Sequence, residues 1–258
     1  MGDKERIKKN GQVTLFIIIA LVVIAVGLLI YFFFPKIKSG FTFEQETPEK
    51  YIQTCLEREI QTAVDTLSVQ GGSITPEHYM LYQGDKIEYL CYQEEYYLTC
   101  VVQQPLLKRH IEEEIKKEIQ KSAKLCFDEL QKKYEKEGYG VNLKRGLMEV
   151  ELLPKRIVTT FNTTLALTKE DSTQRVESFR VILNNNLYEL VGIANSIIEW
   201  EARYGDSETT AYMGLYRDLK VEKKNQLDGT TIYILTDRNN GFRFQFASRS
   251  VAWPPGYG

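Results

Sequence analysis

Histidine is nearly absent from this sequence. The 258 residues include two, His78 and His110. A zinc-binding helix needs a second histidine four residues after the first, and the position four residues after His110 holds Glu114. We therefore expect His110 to be an exposed residue at the start of a helix.

The sequence also lacks a Gly-x-Ser-x-Gly nucleophile turn, a Gly-Lys-Ser/Thr phosphate loop and a dinucleotide-binding glycine pattern. We predict no catalytic residues, no cofactor, no metal site and no enzymatic activity.

Cysteine is scarce and is not spaced for a metal. The four cysteines are Cys55, Cys91, Cys100 and Cys126; they form no Cys-x-x-Cys pair, which argues against zinc. An even number in an oxidising location predicts two disulfides, with three connectivities. Cys91 and Cys100 bracket a short turn, so a hairpin would place them opposite each other, and Cys55 and Cys126 lie on two separate helical patterns. We expect the pairs Cys55–Cys126 and Cys91–Cys100; the alternative is four free thiols in a reducing compartment.

A strongly basic surface is also lacking. The chain has 33 Lys and Arg against 35 Asp and Glu, for a net charge of −2. Proteins that bind nucleic acid mainly through phosphate contacts carry a basic stripe or patch. We therefore expect no nucleic-acid partner.

One long apolar run is present, from Val13 to Phe34, and only Thr14 and Gly27 interrupt it. About 22 helical residues, at roughly 1.5 Å each, span the hydrocarbon core of a bilayer. The run is longer than the apolar region of a secretory signal peptide, which has about 7 to 15 residues. It predicts a retained transmembrane helix. The resulting organisation is a basic leader at 1–11, the transmembrane helix at 12–35, a linker at 36–48 and a domain at 49–258.

Basic residues are more frequent before the apolar run than after it. Two, Lys36 and Lys38, follow it within a few residues, and the four that precede it are Lys4, Arg6, Lys8 and Lys9. The positive-inside rule then places the N-terminus in the cytoplasm. We expect a single-pass protein of the cell membrane, with the lipid bilayer as a partner and with residues 49–258 outside the cytoplasm.

The N-terminus resembles the class III signal of archaeal type IV pilin-like proteins, in which basic residues precede a Gly-Gln junction and an uninterrupted apolar helix. The junction here is Gly11 and Gln12. The resemblance implies that a prepilin-type peptidase cuts between them, that the helix is kept as anchor and filament stem, and that other surface or pilus subunits are partners. Phe16 stands at the fifth mature position, where pilins commonly carry Glu. The stretch YIQTCLEREIQTAVDTLSVQGGSI, from Tyr51, is similar in layout to a set of uncharacterised archaeal membrane proteins; that similarity implies a location and no activity.

Helical periodicity marks four segments after the linker. Thr47 and Pro48 form a helix start, as an N-cap and a first-turn proline do, and Gly71 and Gly72 end this helix. The other three helices are predicted from Pro105 to about Glu137, from Asn185 to Arg203 and from Thr209 to Arg217.

Between these helices the apolar pattern changes to a period of two, which indicates strands. Short strands are expected within 79–102. From Gly146 an antiparallel meander is expected, built from LMEVELL, RIVTTFNTTLALT and RVESFRVIL, and a last hairpin turns at Asn239 to Gly241. The predicted fold class is α+β: a transmembrane helix followed by an extracytoplasmic domain of helices packed on antiparallel sheet, with a sub-boundary near 138–146.

Two features indicate surface roles. Tyr92, Tyr96 and Tyr97 lie in a tyrosine-rich hairpin, and tyrosine supplies rigid, amphipathic contact area; the alternative is a half-buried sheet edge of ordinary strand formers. Asn162 begins an Asn-x-Thr sequon, and we expect it within a strand, where it would be a poorer acceptor for a glycan.

The preferred hypothesis is a non-enzymatic, membrane-anchored surface protein that serves as a pilin-like structural or assembly component. The first alternative is a membrane-tethered binding or adhesion module that uses the tyrosine hairpin. The second is an extracytoplasmic enzyme with an unfamiliar site, which would require a cleft with convergent polar groups.

Overall fold

The computed structural model describes residues 10–33 and 46–251. Residues 1–9 of the predicted leader and residues 34–45, which include most of the predicted linker, lie outside this description. The chain divides into two compact units, Met1–Glu46 and Thr47–Gly258.

The first unit contains helix α1, Asn10–Phe33. Every side chain described in it, from Phe16 to Leu29, is exposed. Gly11 and Gln12 lie within its first turn. In the described parts of the chain, no helix combines the length and the apolar character that a membrane crossing requires. The predicted helix is therefore present, whereas its assignment as a transmembrane span is not confirmed.

The described part of the second unit, residues 47–251, contains four helices: α2 (Pro48–Val69), α3 (Leu107–Lys136), α4 (Leu187–Tyr204) and α5 (Thr209–Leu215). The start of α2 is as predicted, because the side chain of Thr47 accepts a hydrogen bond from the Lys50 N–H and Pro48 occupies the first turn. At the other end, Gly71 adopts a left-handed conformation with φ of +84°, which glycine tolerates without steric cost. The N–H of Gly72 then donates to the carbonyl of Leu67 at 2.8 Å and closes the helix.

Helices α2 and α3 pack against each other in opposite directions. The start of α2 meets the end of α3, where Lys133 Nζ lies 4.9 Å from the ring centre of Tyr51, and Glu59 farther along α2 accepts from Ser122 at 3.2 Å. The facing apolar stripes of both helices are buried. This pair forms one wall of the core.

Twelve strands lie in the same described residues: β1 (Tyr79–Tyr82), β2 (Asp85–Tyr92), β3 (Val101–Val102), β4 (Gly140–Lys144), β5 (Met148–Leu153), β6 (Arg156–Phe161), β7 (Thr164–Lys169), β8 (Ser172–Val176), β9 (Phe179–Asn184), β10 (Leu219–Asn225), β11 (Thr230–Asp237) and β12 (Arg243–Arg249). The largest sheet has the order β1-β2-β12-β11-β10, with β3 on β2. The α+β class is confirmed. The sheet is not wholly antiparallel, since β12 pairs with β2 in parallel.

The predicted meander is wrong. Strands β4-β7-β8 and β5-β6-β9 form two separate three-stranded sheets, so the run RIVTTFNTTLALT is two strands that belong to different sheets. The break at Asn162 and Thr163 leaves no mark in the pattern, because Phe161, Thr163 and Leu165 are all buried while Asn162 is exposed. A Cβ on Gly146 would approach the Asn162 carbonyl oxygen to 1.9 Å, so this contact requires glycine. Asn162 lies between β6 and β7. The prediction that it falls within a strand is therefore wrong.

Candidate ligand-binding cleft

The four cysteines form two disulfides. Cys55 on α2 is bonded to Cys126 on α3, with their Cα atoms 6.1 Å apart. Cys91 on β2 is bonded to Cys100, just before β3, with a Cα separation of 5.3 Å. The prediction of two disulfides is confirmed, and no free cysteine remains among the described residues. One bond joins the paired helices and the other closes the β2–β3 hairpin.

The three candidate tyrosines of the hairpin differ in burial, and two of them, Tyr92 and Tyr96, flank the Arg249 guanidinium. Tyr96 and Tyr97 are exposed, with ring centres 6.3 Å apart. Tyr92 is half-buried, and its ring packs edge-on against His78 at 4.3 Å. The Arg249 guanidinium lies 5.4 Å from the Tyr96 ring centre and fixes the hairpin by donating to the Glu94 carbonyl at 2.7 Å.

The prediction of an exposed His110 is wrong. His110 is half-buried in the first turn of α3, and its Nε2 lies 2.7 Å from the hydroxyl oxygen of Ser73. Ser73 follows the glycine turn of α2 and donates to Glu88 at 2.5 Å. Burial lowers the pKa of His110, and burial also raises the pKa of Glu88. Ser73 is only 4% exposed, and its hydroxyl links the end of α2 to Glu88 on β2 and to His110 on α3.

The lowered pKa of His110 makes stability depend on pH. As pH falls below about 6.5 the unfolded chain binds a proton at this residue before the folded chain does, so unfolding becomes more favourable. We expect the wild type to lose stability from about pH 6.5 downward relative to a His110→Gln variant, whose side chain keeps a partner for Ser73 and does not titrate there. The measurement is the urea midpoint from pH 7.5 to 5.

The matched control is His78→Gln, because His78 is the other histidine and is exposed. Each variant must be compared with the wild type at the same pH. The reason is that the raised pKa values of Glu88 and Glu201 change stability with pH in the opposite direction to the lowered pKa of His110. Identical profiles for His110→Gln and wild type would contradict the assignment.

A second buried polar network is centred on Glu201 of α4, which is 3% exposed. Its carboxylate accepts hydrogen bonds from the Tyr233 hydroxyl, from the Ser248 hydroxyl at 2.9 Å and from the Ser207 N–H at 3.2 Å. Burial raises the pKa of Glu201. Burial also raises the pKa of Tyr233, and the neighbouring Glu201 carboxyl adds to this effect. Both carboxylate oxygens of Glu201 accept hydrogen bonds from within the protein, so this residue connects α4 to β11 and β12.

An open cleft of about 1020 Å³ lies between the N-terminal half of α4, helix α5 with the loop after it, and the end of β11. Pockets that bind small ligands are commonly of this order of size and combine apolar walls with a few convergent polar groups. The α5 side of the wall is held by the Tyr212 hydroxyl, which lies 2.8 Å from the Ser196 hydroxyl on α4. Asn186 at the start of α4 donates to Asp237 at the end of β11. The walls are therefore fixed by bonds between the elements that form them.

Glu189 is the distinctive group of the cleft. Its Oε1 accepts from the Lys155 N–H at 2.9 Å, and this bond joins the first turn of α4 to the β5–β6 turn. Its Oε2 is buried and has no hydrogen-bond partner among the described residues. A buried acceptor without a donor costs about 1–3 kcal/mol, and more where it is charged. Because this oxygen is closed to solvent, the cost falls on the fold itself.

Sequence reasoning missed this cleft because its walls come from segments far apart in the chain, near residues 108, 155, 190, 216 and 238, with no motif in any of them. In the part of the chain that the structure describes, no group of three or more His, Cys, Asp or Glu could hold a metal ion. The chain matches no protein-family model, no curated protein and no solved structure.

Proposed function

We propose that the protein is a non-enzymatic binding protein, tethered to the membrane by its N-terminal helix, whose ligand site is the cleft between α4, α5 and the end of β11. The observation that carries the proposal is the cleft itself, whose wall brings the exposed rings of Tyr188 and Tyr216 together with the polar side chains of Glu189 and Asn195. A concave site that combines apolar surface with a few polar groups is the usual form of a small-ligand site.

Two further observations support the location. Disulfides persist in oxidising compartments and are rare in the cytosol, and all four cysteines of the second unit are paired. In the first unit, the apolar side chains from Phe16 to Leu29 are exposed, and burial of such surface in lipid is favourable by about 25 cal/mol per Å². The bias of basic residues toward the N-terminal side of this helix favours a cytoplasmic N-terminus and an extracytoplasmic domain.

The pilin-like form of the proposal adds one step. A prepilin-type peptidase would cut between Gly11 and Gln12, and the helix that remains would join other subunits. This form is supported by the sequence of the junction. It predicts a shortened chain, whereas a simple tether keeps residues 1–11.

The test is the intact mass of the membrane-extracted protein, alkylated with and without prior reduction. We expect four alkylated cysteines after reduction and none before it, because both disulfides are formed. A chain that begins at Gln12, and that is no longer cut in a Gly11→Leu variant, would support the pilin-like form. An added mass lost on Asn162→Gln would show a glycan on this exposed asparagine.

Two results would overturn the proposal of a tethered extracytoplasmic domain. One is alkylation of the cysteines without reduction in protein taken directly from cells. The other is recovery of the full-length chain in the soluble fraction after cell lysis without detergent.

A further inference from the structure

We infer that Arg249, beside the β2–β3 hairpin, is a docking site for an acidic side chain, Asp or Glu, of an extended segment of a partner protein. The inference goes beyond the binding role proposed above, because none of the residues that carry it lines the cleft. It rests on the unused donors of a buried guanidinium, on the two aromatic rings next to it and on the charge of the hairpin.

Arg249 is a buried cation without an anionic partner. It lies at the end of β12, in register with Tyr92 of the parallel strand β2, and is 9% exposed. Within the described residues no carboxylate forms an ion pair with it. A buried charge without a counter-charge is unfavourable, so a ligand that supplies the counter-charge gains binding free energy at this point.

Two donors of this guanidinium remain unused. A guanidinium carries five N–H groups. Nε donates to the Asp228 carbonyl at 3.0 Å, and Nη1 donates to the carbonyls of Gln93 and Glu94. The two N–H groups of Nη2 make no hydrogen bond within the described residues, and Nη2 is not closed to solvent. They can therefore donate to an oxygen that approaches from outside.

The position of the guanidinium is fixed before a ligand arrives. Its carbonyl partners belong to two separate segments, the β10–β11 turn and the β2–β3 hairpin. The hairpin is itself closed by the disulfide between Cys91 and Cys100. A group that is already held in place loses little conformational entropy on binding, which favours affinity.

Two tyrosine rings add apolar contact area beside the unused donors. The guanidinium carbon of Arg249 lies 5.8 Å from the ring centre of Tyr92 and 5.4 Å from that of Tyr96. Tyr96 is 59% exposed, and Leu98 in the same hairpin is 46% exposed. Tyrosine and arginine are enriched among the residues that dominate the binding energy of protein–protein interfaces. This composition favours a polypeptide partner, whose apolar residues cover Tyr96 while one carboxylate reaches Arg249.

The charge of the hairpin selects a carboxylate over a phosphate. No lysine or arginine occurs between Lys86 and Lys108, so the hairpin offers no second cation. Its own charged residues, Glu94 and Glu95, are exposed, and they repel a doubly charged group more strongly than a singly charged one. A phosphate group is therefore a poorer ligand for this site than Asp or Glu.

The experiment first selects a ligand from random sequences. Phage that display random dodecapeptides are panned on the full-length protein in detergent and, in parallel, on the Arg249→Gln variant. We expect the peptides enriched by the wild type alone to share one Asp or Glu next to an apolar residue. If no peptide is enriched, or if the enriched peptides share no acidic position, the inference is wrong.

A double-mutant cycle then tests the direct contact. One selected peptide is compared with its matched amide, in which Gln replaces Glu or Asn replaces Asp, by fluorescence polarisation on the wild type and on Arg249→Gln. The amide should bind the wild type about tenfold or more weakly, and this difference should vanish on Arg249→Gln. Equal weakening of both peptides by Arg249→Gln would mean that Arg249 only supports the hairpin, and the inference would fall.

Three other variants keep the test decisive if Arg249→Gln does not fold. Tyr96→Ala removes an exposed ring and leaves the backbone carbonyls bonded to Arg249 in place, so it should fold and weaken the acidic peptide severalfold. Arg243→Gln is the matched control, because it removes an exposed cation from the same strand and should leave the affinity unchanged. Tyr216→Ala alters the cleft and should also have no effect. An affinity that Tyr96→Ala leaves unchanged, or that Arg243→Gln lowers as much, would contradict the site.

A phosphoserine peptide tests the assignment to a carboxylate. Phosphoserine replaces the acidic residue of the selected peptide, and we expect weaker binding to the wild type than that of the carboxylate form. Tighter binding of the phosphoserine form would show a phosphate site in place of the proposed one. A dependence on Tyr216 without a dependence on Tyr96 would place the peptide in the cleft, which would support the binding role proposed above and overturn the inference about Arg249.

Discussion

Replacement of Cys55 and Cys126 together by Ala is expected to lower the free energy of unfolding by about 4 kcal/mol, because the bond closes a long loop in the unfolded chain. The two cysteines are 71 residues apart in sequence, and a cross-link over such a distance restricts the unfolded ensemble strongly. For a domain of this size the melting temperature should fall by roughly 8–16 °C. The apolar stripes of α2 and α3 remain in place, so the variant should still fold.

The pair Cys91 and Cys100 provides the comparison, since it is separated by only 9 residues. Its replacement by Ala should cost less, about 2–3 kcal/mol. The measurement is thermal unfolding of both double variants and the wild type, each with and without a reducing agent. Wild type under reduction should be no more stable than the less stable of the two variants. A smaller loss of stability for Cys55→Ala/Cys126→Ala than for Cys91→Ala/Cys100→Ala would contradict the larger contribution expected of the disulfide between α2 and α3.

Local signals in the sequence were reliable wherever one short segment determines the outcome. Thr47 and Pro48 start α2 because a side-chain acceptor and a residue without an N–H both suit a helix start. The turn at Asn239 to Gly241 forms the β11–β12 hairpin because Gly241, with φ of +75°, adopts the left-handed conformation that this turn needs.

Pairing between distant segments could not be derived in this way. Strands β2 and β12 lie more than 150 residues apart, and their parallel pairing depends on how the whole chain packs. At Asn162 the alternation of buried and exposed residues continues without interruption while the strand passes from one sheet to another. Periodicity reports which side of a strand is buried and contains no information about which sheet the strand joins.

The same difference between local and long-range features applies to the functional groups. Glu201 could have been identified, because it falls on the buried stripe of α4, three residues after Ile198, where a carboxylate must have buried partners. The cleft could not, since five separate segments form its wall, near residues 108, 155, 190, 216 and 238. Spacing within one helix is visible in a sequence, and convergence of several elements is visible only in the fold.

Replacement of Glu201 by Ala is expected to destabilise the domain by about 3–5 kcal/mol, because it leaves three buried donors without an acceptor at about 1–2 kcal/mol each. These donors are the Tyr233 hydroxyl, the Ser248 hydroxyl and the Ser207 N–H. Glu199→Ala is the matched control, because Glu199 is exposed on the same helix and its loss should change stability by less than about 0.5 kcal/mol. The measurement is urea unfolding at one pH. Equal effects of the two substitutions would contradict the network.

Glu201→Gln separates the charge of this group from its hydrogen bonds. Burial raises the pKa of the folded carboxyl above its ordinary value of 4.5, so just above pH 4.5 the unfolded chain loses this proton while the folded chain keeps it. The folded state then binds more protons than the unfolded state, and stability falls as pH rises through this window. Gln does not titrate and can still accept from Tyr233 and donate to Ser248, so the variant should show a flatter decline with rising pH than the wild type. Glu88, whose pKa is raised in the same direction, keeps its own contribution in both proteins. If the two urea profiles run parallel above pH 4.5, Glu201 enters the folded state already ionised, and its hydrogen bonds rather than its proton account for the stability that Glu201→Ala removes.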